Sequence, residues 1–192
     1  MTQPFSIYEW LAAITTIVSV ALLSYKFKSG WIIGFAGSLL YGKVFYDQKL
    51  YADFWLQAIF LIQGAYGYFE WNQNIKKDDK FVSLNFKRKD VFFIMISLVG
   101  FLIISYIAGS LMRNTNNPYP LTDGFISIFS IMAVILMARR HIECWYVWFV
   151  IDVVSIALFL QVGMYVSIIL YLVLLLNCCN GWMLWKKDLK EA

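Results

Sequence analysis

Trp145, Trp148, Asp152 and Ser155 fall at i, i+3, i+7 and i+10 within one unbroken apolar run, the spacing of residues on a single face of an α-helix. Two indoles and a carboxylate on one stripe form half of a cage for a flat organic cation, because an aromatic face attracts positive charge and the acid neutralises it. An ionisable group inside a membrane span costs about 2.5–3.5 kcal/mol even on insertion scales. Asp152 is therefore expected near the bilayer middle, facing a bundle interior or a watery cavity. The competing explanation is an interfacial tryptophan belt with an acid that serves a structural hydrogen bond, and it suits Trp145 better than Trp148.

Neutral hydrogen-bonding groups accompany this stripe. Gln57 and Gln63 in one apolar run, and Asn177 and Asn180 in another, could read hydroxyl and amide groups of a ligand. Tyr41 and Tyr66 complete the candidate binding set. For each residue singly, an interhelical hydrogen bond worth about 1 kcal/mol is an equal explanation, and only their joint placement favours a ligand. Asp123, Ser127 and Ser130 make a further polar stripe, echoed by Glu9 and Thr16, whose acids lie near span ends and are expected to snorkel to headgroups. Gly34, Ser38 and Gly42 make a small-residue ridge for close helix packing. The single histidine, His141, stands beside Arg139 and Arg140, and no metal cluster or nucleophile, base and acid set can be assembled, so an enzyme is not indicated. No cofactor is implied. A retinal-type receptor would need a lysine deep in the last apolar run, and none lies between Tyr165 and Trp185.

The elements that must position these groups follow from composition. Of 192 residues, 61% are hydrophobic and only 15% charged, where soluble domains sit near 45–50% and 25%. That excludes soluble globular, disordered and disulfide-scaffold classes and indicates an all-α integral membrane protein. Cys144, Cys178 and Cys179 give no disulfide framework. The first ten residues lack the basic region of a cleavable signal. A span needs about 20 apolar residues, and seven such stretches occur: Ile7 to Tyr25, Trp31 to Tyr46, Tyr51 to Trp71, Val91 to Met112, Leu121 to Ala138, Cys144 to Leu160 and Tyr165 to Trp185.

Charge sets the expected orientation. If the loops alternate sides, Lys26, Lys28, the basic residues from Lys76 to Lys89, Arg139, Arg140, Lys186, Lys187 and Lys190 share one side, leaving Lys49 and Arg113 opposite, with Lys43 near a span end. The positive-inside rule makes the rich side cytoplasmic, with the N-terminus outside and the C-terminus inside. The net charge of +4 is accounted for by this anchoring to anionic lipid and calls for no nucleic-acid partner.

The sequence also matches itself at a spacing of 114 residues, the distance from Trp31 to Trp145, without gaps. Phe35 meets Phe149, Tyr51 meets Tyr165, Gln63 meets Asn177, Tyr66 meets Asn180, Gly67 meets Gly181 and Trp71 meets Trp185. The expected organisation is a three-helix repeat over 1–71, a basic loop and linker helix over 72–112, and a second three-helix repeat with a short tail over 113–192. A single linker helix makes the two repeats parallel, a transporter architecture with its site at the repeat interface.

Taken together, Trp145-x-x-Trp148-x-x-x-Asp152, Leu50-Tyr51-Ala52-Asp53 with Gln57, Tyr66-Gly67 through Trp71, Asn180-Gly181 through Trp185, and the stretch Asp123 to Trp145 resemble the PnuC-type vitamin transporters. The resemblance covers nearly the whole chain. It implies facilitated diffusion of nicotinamide riboside, or in related members thiamine or riboflavin, across the inner (plasma) membrane. It further implies a SWEET-like fold, a homotrimer, and trapping of the cationic vitamin by a cytosolic kinase. The motif ends in Asn or Asp in that family, and Asp152 takes the acidic option, which suits a permanently cationic ring.

Overall fold

In the computed structural model, residues 7–47, 51–78, 83–85, 91–111, 119–163 and 165–189 are described. They form seven α-helices: α1 Ile7–Ser24, α2 Ser29–Asp47, α3 Tyr51–Asp78, α4 Val91–Leu111, α5 Pro120–Ala138, α6 Cys144–Val162 and α7 Tyr165–Leu189. Each begins and ends within a few residues of an expected apolar stretch, with one exception. α3 continues past Trp71 through Asn72, Gln73, Asn74 and Ile75 to Asp78, beyond the end of its apolar pattern.

Among the described residues, four helices are long and apolar enough to cross a membrane: α1, α5, Cys144–Gln161 of α6, and α7. Seven spans were expected. α2 is diluted by Lys43 and Asp47 and α3 by its glutamines and polar extension, while Ser97–Leu111 of α4 forms a shorter apolar stretch. Several charges of the expected basic side and its opposite, namely Lys49, Lys80, Lys87, Arg88, Lys89, Arg113 and Lys190, lie outside the described residues.

Six helices close into a ring. α2 lies between α1 and α3, α6 lies between α5 and α7, and the ring is completed where α3 packs on α5 and α7 packs on α1. α4 packs on α5 and on no other described helix. The α4 and α5 backbones approach closely through two glycines. A Cβ added at Gly109 would meet Leu121 Cα at 2.7 Å, and one at Gly124 would meet the Gly109 nitrogen at 2.7 Å. α1 and α2 are equally tight. Gly30 and Gly34 each leave room for α1, whose Ser19 hydroxyl donates to the Gly30 carbonyl at 2.8 Å. The expected ridge of Gly34, Ser38 and Gly42 is divided between neighbours, since Gly34 faces Ser19 of α1 and Gly42 faces Phe54 and Gln57 of α3.

The α1–α2 and α5–α6 turns share one hydrogen-bond pattern. Lys26 and Arg140, 114 residues apart, both adopt the left-handed region, at φ 66° and 63°. Lys26 N–H donates to Leu23 O and Phe27 N–H to Leu22 O; Arg140 N–H donates to Met137 O and His141 N–H to Leu136 O. Gly30 to Phe27 and Trp31 to Lys28 recur in the same way as Cys144 to His141 and Trp145 to Ile142.

Candidate functional site

One end of the ring is filled by four buried tryptophans. Trp31 meets Trp71 edge-on, with centroids 5.6 Å apart at 89°, and Trp145 meets Trp185 in the same way at 5.4 Å and 85°. Trp71 and Trp185 join the two pairs at 6.0 Å. Each outer indole rests on a glycine. A Cβ on Gly67 would lie 2.6 Å from Trp31, and one on Gly181 would lie 2.4 Å from Trp145, so only glycine lets the ring reach its place.

Behind this layer lies the polar stripe of α6. Trp145, Trp148, Asp152 and Ser155 all turn inward as their spacing predicts, while Tyr146, Phe149, Val150 and Val153 on the other faces are exposed. Trp148 is half-buried and touches both apolar clusters, the tryptophan layer and the group of Phe129, Ala133 and Ile151. Asp152 is 1% exposed and Ser155 is fully buried. Cys178 of α7 donates its thiol to Asp152 Oδ2 at 3.3 Å. Asp152 Oδ1, Ser155 Oγ and the Trp148 indole nitrogen are buried without a protein partner. With the Trp145 indole nitrogen, four such atoms lie along one stripe, and burying an unpaired polar atom costs about 1–3 kcal/mol.

The side-chain amides divide their groups. Gln63 of α3, 9% exposed, donates to Ile131 O of α5 at 3.0 Å and leaves Oε1 unpartnered. Asn177 of α7 accepts from Ser24 of α1 at 3.2 Å and leaves Nδ2 unpartnered. Each thus ties its helix to the neighbour that closes the ring while keeping a second polar atom available. Gln57 is half-buried on the side of α3 that faces Gly42 of α2. Tyr41 is half-buried on the α2 face that also carries Trp31 and Ser38.

Two candidates stand apart from this cluster. Tyr66, 40% exposed, belongs to the outward stripe of Trp55, Ile59, Ile62 and Phe69. Asn180 is half-buried between the exposed Leu176 and Met183. Trp145 is almost wholly enclosed by Gly181, Trp185 and the rest of the tryptophan layer. Cys178 and Ser24 were not singled out by sequence reasoning. A thiol and a hydroxyl in apolar helices carry no periodic signal. All three thiols are free; Cys144 and Cys178 are buried and Cys179 is exposed. Among the described residues no cluster of three or more metal-ligating side chains occurs.

A short strap, residues 83–85, meets the α5–α6 turn. Leu84, from the segment between α3 and α4, donates to Arg140 O and accepts from Ile142 N–H, both at 2.9 Å. Ser83 beside it reaches Asp188 Oδ2 at 3.5 Å, and the same carboxylate pairs with Lys26. Lys26 Nζ also donates to Leu184 O at 3.3 Å.

The chain has relatives among known proteins. The chain is similar to the nicotinamide riboside transporter PnuC of Escherichia coli (strain K12), 24% identical over 95% of this chain and 87% of that protein. It is also similar to the riboflavin/roseoflavin transporter RibM of Streptomyces davaonensis, 24% identical over 78% of this chain and 71% of the other. The fold matches the crystal structure of the vitamin B3 transporter PnuC with a TM-score of 0.75 over 94% of this chain and 81% of that one, at 20% identity. The nicotinamide mononucleotide transporter family profile matches residues 6–187, and the chain, a multi-pass membrane protein with a polar stripe inside its helical ring, belongs to that family of transporters.

Proposed function

We propose that this protein carries nicotinamide riboside across the inner membrane by facilitated diffusion, with the N-terminus outside and the C-terminus in the cytoplasm. The observation that carries this reading is the inward stripe of Trp148, Asp152 and Ser155, on which Trp148 Nε1, Asp152 Oδ1 and Ser155 Oγ lack protein partners. Trp148 stacks the pyridinium ring, Asp152 balances its charge, and Gln63 and Asn177 offer their remaining amide atoms to the carboxamide and ribose hydroxyls. Gln57 and Tyr41 line the same interior from α3 and α2. Trp145 supports Trp148 from the tryptophan layer, and Tyr66, which faces outward, and Asn180, which stands apart, are not part of this site.

The reading includes two parallel three-helix repeats, 1–71 and 113–192, joined by the loop and linker helix of 72–112. It is supported by the matched turns at Lys26 and Arg140 and the matched tryptophan pairs. Parallel repeats around a central site suit alternating access by rocking of one bundle against the other. Assembly as a homotrimer and trapping of the substrate by a cytosolic kinase complete the proposal.

Riboflavin transport is the second reading, favoured by the similarity to RibM; a thiamine carrier would keep the same cation site. Calorimetry on the purified protein separates them. Nicotinamide riboside is expected to bind more tightly than thiamine or riboflavin. Trp148→Ala or Asp152→Ala is expected to weaken it at least about tenfold, roughly 1.4 kcal/mol. Unchanged binding in both variants would remove the cage, and binding of riboflavin alone would overturn the substrate.

A further inference from the structure

A carboxylate offers two oxygens, and one that grips a ligand from inside a helical bundle must be kept from rotating away. Asp152 carries such a restraint. Cys178 Sγ stands 3.3 Å from Oδ2, in reach of a sulfur hydrogen bond. Cys178 is itself 3% exposed and packed in the cluster that holds Trp145 and Trp185, so its thiol is fixed by the tryptophan layer. The other oxygen, Oδ1, has no protein partner, and neither does Ser155 Oγ on the same face of α6. The two oxygens of Asp152 are therefore inequivalent, one tied to α7 and one left over.

We propose that Cys178 is a positioning residue for substrate binding: its S–H holds Oδ2 of Asp152 and so presents Oδ1, together with Ser155 Oγ, to a cationic ligand that carries a hydrogen-bond donor. This rests on the reading of Asp152 as the ligand-binding acid. A thiol is suited to the task because it is a weak donor. It sets the direction of the carboxylate while drawing off less of its negative charge than a hydroxyl or an ammonium group would. The packing around Cys178 also transmits the position of the tryptophan layer to the acid, so the geometry of Asp152 depends on α7 as well as on its own helix.

The test uses the full-length protein with Cys144→Ala and Cys179→Ala, leaving Cys178 as its one thiol; the matching position to Cys144 in the other half is Gly30, so a small residue fits there. The S–H stretching band in the infrared is expected to shift to a free-thiol frequency when Asp152→Ala, which removes the acceptor, is introduced, and to move when nicotinamide riboside binds to the acidic form. In calorimetry, Cys178→Ala is expected to weaken nicotinamide riboside about tenfold, and Cys178→Ser, which keeps a donor, to restore affinity to within about threefold. A purely structural role would leave the S–H band indifferent to ligand. An S–H band indifferent to both Asp152→Ala and ligand, or Cys178→Ala binding as tightly as the parent, would overturn the proposal alone. Should Cys178→Ala fail to give monodisperse protein, the infrared shifts in the parent decide. Failure of the parent to bind nicotinamide riboside, thiamine or riboflavin would overturn the functional reading itself, and the proposal with it.

Discussion

Trp71 and Trp185 lie with ring centroids 6.0 Å apart, and each donates its indole N–H across the ring at 3.2 Å, Trp71 to Met137 O of α5 and Trp185 to Ser24 O of α1. Both rings are fully buried. The two contacts that close the ring, α3 with α5 and α7 with α1, are thus fastened by the same residue type using the same atom.

Because the two tryptophans do equivalent work, their loss should have equivalent cost. Trp71→Ala and Trp185→Ala are each expected to destabilise the protein by about 3–5 kcal/mol through lost burial and a residual cavity. Trp→Phe at either site keeps most of the volume but removes the indole hydrogen bond, for about 0.5–1.5 kcal/mol. Thermal unfolding of detergent-purified protein measures both series, and a large inequality between the two sites would contradict the equivalence.

Gly67 and Gly181 permit the approach of Trp31 and Trp145. Gly181→Ala places a methyl 2.4 Å from an indole carbon, and Gly67→Ala does so at 2.6 Å. Overpacking of this kind costs about 1–3 kcal/mol. Each variant is expected to melt lower than the parent, whereas Gly163→Asn, at a left-handed C-cap with open space around it, should melt close to the parent.

Asp152 distinguishes charge from hydrogen bonding. Asp152→Asn keeps the shape and one acceptor but removes the negative charge. It is expected to weaken a cationic vitamin more than a neutral one, with the ratio of nicotinamide riboside to riboflavin affinity falling about tenfold. An unchanged ratio in paired titrations would assign the carboxylate a structural role.

Asp188 holds both Lys26 and Ser83. With Asp188→Asn, the strap at Leu84 is expected to loosen, seen as faster amide exchange at Leu84 and Ile142, whose N–H groups make the two strap hydrogen bonds. Exchange in the middle of α6 should stay as in the parent.

Much of this was legible in the sequence. The bounds of α1, α5 and α6 follow from apolar length, and the inward stripe of α6 follows from the spacing of Trp145, Trp148, Asp152 and Ser155. Self-matching at 114 residues picked out Trp71 with Trp185 and Gly67 with Gly181, pairs that have matching surroundings. Three things were not legible. Hydropathy gives no helix order, so that α2 lies between α1 and α3 emerges only from packing. Tyr66 looks inward on a self-alignment, yet its spacing from Trp55, Ile59, Ile62 and Phe69 puts it on the outward stripe, a signal hidden because both faces of α3 are apolar. Cys178 offered no pattern at all, since a buried thiol passes for any small apolar residue until the carboxylate beside it is seen.

The ring also fixes an order of assembly. α1, α2 and α3 pack as consecutive neighbours and can gather as the chain emerges, but the bond from Trp185 to Ser24 joins residues 161 positions apart. Until α7 is made and inserted, Ser24 O lacks its indole donor and α1 presents an uncovered flank to lipid. Completion of the fold therefore waits on α7, and loss of that helix would leave an open arc of helices in which neither Asn177 nor Cys178 exists to finish the interior.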